Sequence, residues 1–394
     1  MNTLHQSPTD PDFVQNPYPF YETARSNGAF FRWQDYNLIC TPNAAACNAI
    51  FRDRRFGREI PEGKAPAIPD HLRAFYAIEA HSMLELEPPR HTRLRGLVLR
   101  AFTSRRINAL LPEIQTLTHQ LIDGFPDEPF DLLTHFAQKL PVIIIARLLG
   151  VPEAMADDLL AWSNAMVGMY MAGRTRDTED RAAAAARDFA DFLRCNIELR
   201  RASPADDLIT HLIAAEEAGE KLSTEELIST CILLLNAGHE ATVHTIGNGV
   251  KTLLETATPL TVLAPTNIAA CVEEILRFDP ALHMFTRHVY EDVEIMGQNF
   301  RRGDQVGLLL AAANRDPDVW VNPGQFIATR PSKPHVSFGA GLHFCVGAPL
   351  ARLELQAALP ILFQRCPDLR LSEAPRYANV YHFHGLTKLI VQPR

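Results

Sequence analysis

One cysteine of this chain lies in a stretch whose composition suits metal binding. Residues 338–349 read Phe-Gly-Ala-Gly-Leu-His-Phe-Cys-Val-Gly-Ala-Pro, so three glycines and a proline bend the backbone around the thiol of Cys345. An amphipathic run over residues 350–359 follows at once and predicts a helix. The unpaired N–H groups and the positive dipole end at a helix start favour thiolate over thiol. A thiolate in a rigid loop is suited to binding a metal, whereas a lone cysteine is more commonly a buried, inert thiol.

A second unusual segment lies in the middle of a long predicted helix. Ser223 and Glu226 have the spacing of a capping box, and apolar residues recur at helical spacing over residues 224–254. Gly238 interrupts this helix, which costs about 1 kcal/mol relative to alanine. Close approach of another group would offset that cost, and helix packing is the ordinary explanation.

The cysteine stretch resembles the haem-binding loop of the cytochrome P-450 family, Phe-Gly-x-Gly-x-His/Arg-x-Cys-x-Gly, and matches it at every fixed position. The resemblance extends from about residue 10 to residue 392. It implies that Cys345 is the axial thiolate ligand of the iron of haem b, a ligand type that favours O–O cleavage. Phe338 and Gly347, as fixed positions of the loop, are expected to contact the haem.

Residues 237–242, Ala-Gly-His-Glu-Ala-Thr, resemble the family's oxygen-activation motif, Ala/Gly-Gly-x-Asp/Glu-Thr-Thr. By that resemblance Gly238 opens a groove for O2, and Glu240 is the acid that delivers protons. Ala241 stands where the first threonine is usual, and Thr242 takes the second position, about 100° further round the helix. We expect ordered water, together with a hydroxyl of the substrate, to fill the missing role.

The resemblance also implies a framework around the haem. His91 and Arg95, four residues apart on one helix face, are expected to contact a propionate, as are Arg287 and His343. Alone, each would more commonly be a surface cation. The family's Glu-x-x-Arg motif corresponds to a structural ion pair, whose members here are expected to be Glu274, Arg277 and Arg330.

The predicted architecture is mainly α with small antiparallel β-sheets, that is, the cytochrome P-450 fold in a single domain over residues 1–394. The β-richer parts are residues 1–60 and 285–330. A hairpin is predicted over residues 31–40. Helices are predicted at residues 90–102, 106–124, 131–149, 154–172, 179–200, 205–218, 224–254 and 265–278, and strands at 285–298, 305–310 and 386–392.

Composition agrees with an ordinary globular protein, since 47% of the 394 residues are hydrophobic and 21% are charged. The net charge of −8 argues against nucleic acid as a partner. Seven scattered cysteines favour a reduced compartment. No signal peptide is visible and no apolar run approaches the roughly 20 residues needed to span a bilayer. These features predict a cytoplasmic protein that has no membrane segment.

The chain has neither a Rossmann fingerprint nor a cysteine cluster for an iron–sulfur centre, so its reductant must be another protein. The family suggests a ferredoxin, served by an NAD(P)H-dependent reductase, that docks on the side of Cys345. A basic face is expected to receive it, formed by Arg93, Arg100, Arg105, Arg106 and Arg352.

The favoured function is insertion of one oxygen atom from O2 into a C–H bond of an apolar small molecule. The expected pocket segments are residues 58–84, 161–180, 230–242, 281–286 and 381–384, which are rich in Met, Phe, Leu and Ala. A peroxide-driven or oxidative-coupling enzyme stays open because of Ala241, although the Arg-Pro typical of peroxide users is missing from residues 239–242. A haem-based gas sensor or binding protein is the third possibility, but a sensor needs no proton delivery.

The remaining histidines do not predict a metal site. His239 and His244 are five residues apart, which departs from the i,i+4 spacing of a shared helix face. His382 and His384 alternate as on a strand and are expected to be surface residues. Many relatives carry arginine at the position of His384, which often lies near the substrate.

Overall fold

The computed structural model describes residues 1–171, 173–217 and 220–393. Its α-helices over these residues are α1 Pro11–Gln15, α2 Tyr18–Ser26, α3 Ala44–Arg52, α4 Arg73–Glu79, α5 Arg90–Ala101, α6 Ser104–Ala109, α7 Leu111–Asp123, α8 Lys139–Leu149, α9 Ala156–Val167, α10 Arg176–Ala202, α11 Leu208–Ala214, α12 Thr224–Glu255, α13 Ile268–Phe278, α14 Leu310–Ala313 and α15 Ala348–Arg365.

The strands are short. They are β1 Thr3–Leu4, β2 Phe31–Trp33, β3 Leu38–Thr41, β4 Phe56–Gly57, β5 Phe130–Asp131, β6 Glu216–Glu217, β7 Glu220–Lys221, β8 Met284–Val289, β9 Val293–Ile295, β10 Gln298–Phe300, β11 Gln305–Leu309, β12 Arg370–Leu371, β13 Arg376–Tyr377, β14 Leu386–Lys388 and β15 Ile390–Gln392. The predicted mainly helical architecture is therefore confirmed.

Helix α12 is the central helix of the fold. At 1.5 Å per residue its 32 residues span about 48 Å. The predicted capping box is present: the amide N of Glu226 donates to Ser223 Oγ at 3.2 Å, and the amide N of Ser223 donates to Glu226 Oε2 at 2.9 Å. Helices α8, α9, α10, α13 and α15 pack around α12, so most of its residues are buried.

The largest sheet has the order β1-β2-β3-β11-β8-β4. The predicted hairpin is confirmed, because β2 and β3 are antiparallel with Phe31 opposite Cys40. Strand β11 joins it in parallel, with Val306 opposite Ile39, and β1 is parallel to β2. This sheet is therefore mixed, where small antiparallel sheets were predicted, because β11 comes from a distant part of the chain and runs in the same direction as β3.

Four predicted helices differ from the structure. The helix expected over residues 154–172 is the shorter α9, followed by a 3₁₀ turn at Gly168–Tyr170, and residue 172 lies outside the described residues. The helix expected over residues 106–124 is two helices, α6 and α7, and Pro112 stands in the first turn of α7. The helix expected over 131–149 begins with strand β5 and a π-helical turn at Leu133–Ala137 before α8. The helix expected over 205–218 is the shorter α11, followed by β6, and residue 218 lies outside the described residues.

None of the helices in the described part of the chain combines the length and the apolar character needed to cross a membrane.

Candidate active site

The Cys345 thiol lies at the start of α15. The backbone N–H groups of Gly347 and Ala348, in the first turn of that helix, hydrogen-bond to the sulfur. Burial raises the pKa of the Cys345 thiol above its ordinary value, while these two N–H groups and Arg95 act in the opposite direction. The N–H donors therefore suit a thiolate. However, these donors and Arg95 supply too little positive charge to keep the sulfur ionised by themselves.

The cysteine loop is fixed by close packing against α3. Gly341 has a φ of +69°, and a Cβ at this position would lie 2.0 Å from the carbonyl oxygen of Phe51. Only glycine permits both the left-handed backbone and this approach. The amide N of Cys345 donates to the carbonyl oxygen of Phe338 at 3.1 Å, which closes the loop. These contacts hold the sulfur in one position.

Gly238 leaves open space beside α12. A Cβ added there would meet nothing nearer than the Ile145 side chain at 3.9 Å. The neighbouring residue Ala237 is exposed in the middle of an otherwise buried helix. Tight helix packing therefore does not require glycine at this position, and its role in a groove for O2 stays a prediction.

The hydroxyl of Thr242 bonds to its own helix. It donates to the carbonyl oxygen of Gly238 at 2.9 Å, and Thr245 donates in the same way to Ala241 at 2.7 Å. These hydrogens are already used by the backbone of α12. Thr242 therefore does not offer its proton to the groove in this arrangement.

Glu240 lies between two histidines of α12. Its Oε1 is 3.3 Å from Nε2 of His244, and its Oε2 is 3.6 Å from Nδ1 of His239. Burial raises the pKa of the Glu240 carboxyl, but the hydrogen bond and charge of His244, together with His239, outweigh burial and leave that pKa below its ordinary value. Sequence reasoning compared the histidines with each other and missed that Glu240 and His244 are four residues apart.

Two of the four expected propionate ligands lack a full set of protein partners among the described residues: Arg287 has no carboxylate within ion-pair distance, and His91 has an unpaired ring nitrogen. Arg287 is buried, donates to the carbonyl oxygen of Thr286 at 2.8 Å and lies 5.0 Å from the ring centre of Phe51. None of the described carboxylates is within ion-pair distance of Arg287, and burial lowers its pKa to about 9. Nδ1 of the buried His91 has no hydrogen-bond partner among the described residues. Burial lowers the pKa of His91 to about 4.

The other two expected propionate ligands have protein partners. Nη2 of Arg95 donates to the carbonyl oxygen of Phe344 at 2.7 Å, beside the cysteine. Nε2 of His343 pairs with Oε1 of Glu87 at 2.8 Å, and the His343 ring lies 4.4 Å from the ring of His91. The structure thus brings His91, Arg95 and His343 together near the cysteine loop, but His343 already faces a carboxylate.

The three residues expected in the structural ion pair meet in the core. Arg277 donates to both carboxylate oxygens of Glu274 at 2.7 Å, and Nε of Arg330 lies 3.1 Å from each. Arg277 also donates to the carbonyl oxygens of Asn314 and Pro323, at 2.9 and 3.0 Å. Arg277 is completely buried, so this network ties α13 to the segment before the cysteine loop.

The expectation of a surface position for His384 was wrong. His384 is buried against Tyr377, whose ring stacks on it at 3.7 Å. Its Nε2 lies 3.5 Å from Oδ1 of Asp279, and these two residues and His283 each place a ligand-capable atom within 4.8 Å of the others. Asp279 already accepts hydrogen bonds from the hydroxyls of Tyr18 and Tyr377, so we interpret this group as a hydrogen-bonded cluster.

Two members of the expected basic face are neutralised locally. Arg352 pairs with Glu273 at 2.6 Å, and Arg93 pairs with Glu226 and, at 3.3 Å, with Glu220. The arginine spacing in the sequence did not indicate these partners because the carboxylates come from other elements, namely α12, α13 and β7.

Comparison with known proteins identifies the family. A sequence profile described as cytochrome P450 matches residues 267–373. The chain is 35% identical over 398 residues to the biotin biosynthesis cytochrome P450 of Bacillus subtilis (strain 168), with 99% of each chain covered. It is 38% identical to the vitamin D(3) 25-hydroxylase of Pseudonocardia autotrophica, over 91% of this chain and 89% of that one. The chain therefore belongs to the cytochrome P450 family.

Solved structures agree with the fold. The crystal structure of P450BioI in complex with acyl carrier protein ligated to hexadec-9Z-enoic acid matches with a TM-score of 0.91 and 34% identity, covering 97% of this chain and 98% of that one. The Bacillus subtilis 168 cytochrome P450 PksS matches with a TM-score of 0.88 and 33% identity, covering 98% and 99%. The predicted fold is thereby confirmed. The protein is a haem-thiolate monooxygenase, an oxidoreductase that uses haem iron and O2.

Proposed function

We propose that this enzyme binds haem b through Cys345 and inserts one oxygen atom from O2 into a C–H bond of an apolar small molecule. The observation that carries the proposal is the sulfur itself. It accepts hydrogen bonds from two backbone N–H groups at the start of α15. Its loop packs closely against α3 because Gly341 has no side chain. Bound to Cys345, haem iron would supply oxygen activation.

The neighbouring residues fit such a group. A propionate would supply the negative charge that the buried Arg287 lacks, and it would give Nδ1 of His91 a partner. Arg95, beside Phe344, would be a third contact, whereas His343 would act through its pair with Glu87. Phe338 and Gly347 would frame the ring from the cysteine loop.

On the other side of the site, the chain supplies room and protons. Gly238 and Ala241 leave the groove of α12 free of bulky side chains. Glu240 is held ionised at neutral pH by its two histidines and would exchange protons with the groove. Thr242 would keep the helix backbone bonded next to Gly238 rather than act as a donor.

The reductant is proposed to be a ferredoxin with its NAD(P)H-dependent reductase. Arg95 donates to the carbonyl oxygen of Phe344 in the cysteine loop, and Arg352, although paired with Glu273, lies 4.7 Å from the ring centre of Phe338. A negatively charged partner docking here would come close to Cys345.

The substrate is proposed to be apolar. Methionines from three of the expected pocket segments are buried in the core, namely Met83, Met166, Met169 and Met284. The relatives suggest where to start: one solved relative holds a fatty acid ligated to acyl carrier protein, and a curated one is a vitamin D(3) hydroxylase. Long-chain fatty acids, free and carrier-bound, and sterols are therefore the first compounds to screen by the shift of haem absorption.

The test is reconstitution of the purified chain with haem b. We expect the reduced, carbon monoxide-bound protein to show a thiolate-type spectrum, and Cys345→Ser to lose it. Cys195→Ser, at an exposed cysteine of α10, is the matched control and should keep the spectrum. An unchanged spectrum in Cys345→Ser would refute the ligand assignment.

A second measurement separates the possible activities. With a compound that shifts the spectrum, O2, a plant-type [2Fe–2S] ferredoxin and its NADPH-dependent reductase should yield hydroxylated product. Product from hydrogen peroxide alone would indicate the peroxide-driven alternative. Binding without product under either condition would favour a sensor or binding protein.

A further inference from the structure

Helix α12 holds a carboxylate and an imidazole in direct contact, two and six residues after Gly238. Glu240 and His244 are one helical turn apart, and Oε1 lies 3.3 Å from Nε2. Both side chains are largely buried, with 15% and 17% of their surface exposed. An Nε2–H directed at the carboxylate leaves Nδ1 as the acceptor nitrogen of the ring. That Nδ1 is buried and has no partner among the described residues.

The His244 imidazole packs closely against the C-terminal loop. A Cβ at Gly385 would lie 1.9 Å from Nδ1 of His244, so only glycine leaves room for the ring there. The ring of Phe383 lies 6.2 Å from the imidazole centre. Asn248, one turn further along α12, donates to the carbonyl oxygen of His384 at 2.8 Å and fixes the loop. The position of His244 is thus determined on both sides.

On the same stretch of helix, residues 238–245, the hydroxyl groups are not free to donate a proton to Glu240. Ala241 has none, and the hydrogens of Thr242 and Thr245 are bonded to backbone carbonyls. Between residues 238 and 245 the proton donors next to Glu240 are therefore imidazoles. His239 is the weaker candidate, because it lies 3.6 Å away and burial lowers its pKa to about 4.

We propose that His244 is the proton-donating partner of Glu240, and that the pair replaces the absent threonine hydroxyl at position 241. The inference rests on the proposed monooxygenase function, which consumes two protons and two electrons for each O2 and releases one water. Nδ1 of His244 first binds a proton that originates in solvent, and the imidazolium then gives its Nε2 proton to the Glu240 carboxylate, which passes it on. The ring is left neutral with its hydrogen on Nδ1, and proton exchange with solvent restores the Nε2–H tautomer before the next transfer. One proton enters and one leaves, so no redox equivalent is needed.

Among the described residues, two other titratable groups also face this pair. They are His239 on α12 and, from the C-terminal loop, His384, which lies close enough to interact with His244. Burial lowers the pKa of His384 to about 4, so it is neutral at physiological pH. The charge balance next to His244 is therefore set mainly by Glu240.

The decisive variant is His244→Gln, which keeps an N–H donor but cannot carry a proton from one ring nitrogen to the other. A merely structural clamp would be restored by glutamine. A relay would not, and product formed per reductant consumed should fall by on the order of tenfold or more, given the size of effects from positioned proton transfer. The loss should diminish as the assay pH is lowered, because solvent protons then substitute.

A direct readout does not depend on turnover. The protonated Glu240 carboxyl can be followed by infrared titration of the haem-loaded protein, with Glu240→Gln to assign the band. That assignment is needed because burial raises the pKa of Glu79 to about 7 and that of Glu354 to about 8. Loss of the imidazole in His244→Gln should raise the pKa of Glu240. An unchanged Glu240 titration, or unchanged coupling, would each overturn the proposal.

A double variant distinguishes failure of this proposal from failure of the proposed function on which it rests. Ala241→Thr in the His244→Gln background should recover most of the coupling that His244→Gln alone loses. Failure of that recovery would show that His244 does not stand in for the hydroxyl. If the unmodified enzyme makes no product, the proposed function fails and the relay with it, while the infrared titration still reports whether the two residues are paired.

Discussion

At the scale of single residues, the site contains buried polar groups whose partners within the chain are incomplete. The Cys345 sulfur accepts two N–H groups and yet burial raises its pKa, while Arg287 is buried with no carboxylate in ion-pair range among the described residues. An apolar core would avoid both arrangements, because an uncompensated buried charge is costly. Bound haem would satisfy both groups at once, the sulfur through its iron and Arg287 through a propionate carboxylate. The two residues together therefore indicate haem more strongly than either does alone.

Gly238 gives a prediction in which stability and function move in opposite directions. Gly238→Ala adds a Cβ that meets only Ile145 at 3.9 Å, so it should raise the free energy of unfolding by about 0.5–1 kcal/mol through helix propensity. The same methyl group should reduce the room for ligands in the groove and weaken carbon monoxide binding to the reduced, haem-loaded protein. Urea unfolding of the chain and carbon monoxide titration measure the two effects.

Gly247 on the same helix is the matched control. A Cβ there would lie 2.9 Å from the Leu133 side chain, so Gly247→Ala should not be stabilising and should leave carbon monoxide affinity closer to that of the parent. Equal behaviour of the two variants would contradict the assignment of Gly238 to an open groove.

At the scale of secondary-structure elements, local patterns predicted more than contacts between elements did. The capping box and apolar repeat predict residues 224–254 as a helix, and α12 agrees within one residue at its end. The π-helical turn at Leu133–Ala137 has no sequence signal, because packing against α12 rather than propensity determines it. The pair of His343 with Glu87 joins residues 256 positions apart, and no spacing rule reaches that far.

Helix α13 allows two neighbouring glutamates to be compared. Glu274→Gln breaks the buried network with Arg277 and Arg330, leaving two buried guanidinium groups without their carboxylate. We expect a loss of about 3–5 kcal/mol in the free energy of unfolding. Glu273→Gln removes a more exposed pair with Arg352 and should cost less than Glu274→Gln. Urea titrations of both variants at pH 7 make the comparison, and equal losses would show that the network does not stabilise the fold.

The pH dependence of Glu273 follows from its surroundings. Burial raises the pKa of this carboxyl, but Arg352 and His335 outweigh burial and lower it from its ordinary value of 4.5 to about 2. Because the pKa is lower in the folded chain, the stabilising contribution is complete above pH 4.5 and is lost as the pH falls toward 2. The difference in unfolding free energy between the parent and Glu273→Gln should therefore shrink over this range. A difference that stays constant from pH 6 to pH 3 would argue against the pair.

At the scale of the whole molecule, the chain is acidic, with a net charge of −8, and yet its proposed partner is an acidic ferredoxin. Net charge alone would disfavour that encounter, so any attraction must come from a local surface. The cysteine loop is followed by α15, against which α6 packs. Arg105 on α6 is exposed, whereas Arg93 and Arg352 are occupied by carboxylates of their own chain.

Docking by that surface predicts that Arg105 matters more than Arg352 for reduction of the enzyme. Arg105→Glu should slow electron transfer from the ferredoxin several-fold at low ionic strength, because charge complementarity acts mainly on the rate of encounter. The effect should fade as added salt shortens the screening length to about 8 Å or less. Arg181→Glu on α10 is the control for a change in total charge and should have little effect. Stopped-flow reduction under carbon monoxide, repeated over a salt series, measures these rates; equal slowing by both variants would mean that total charge, and not the surface beside α15, controls the encounter.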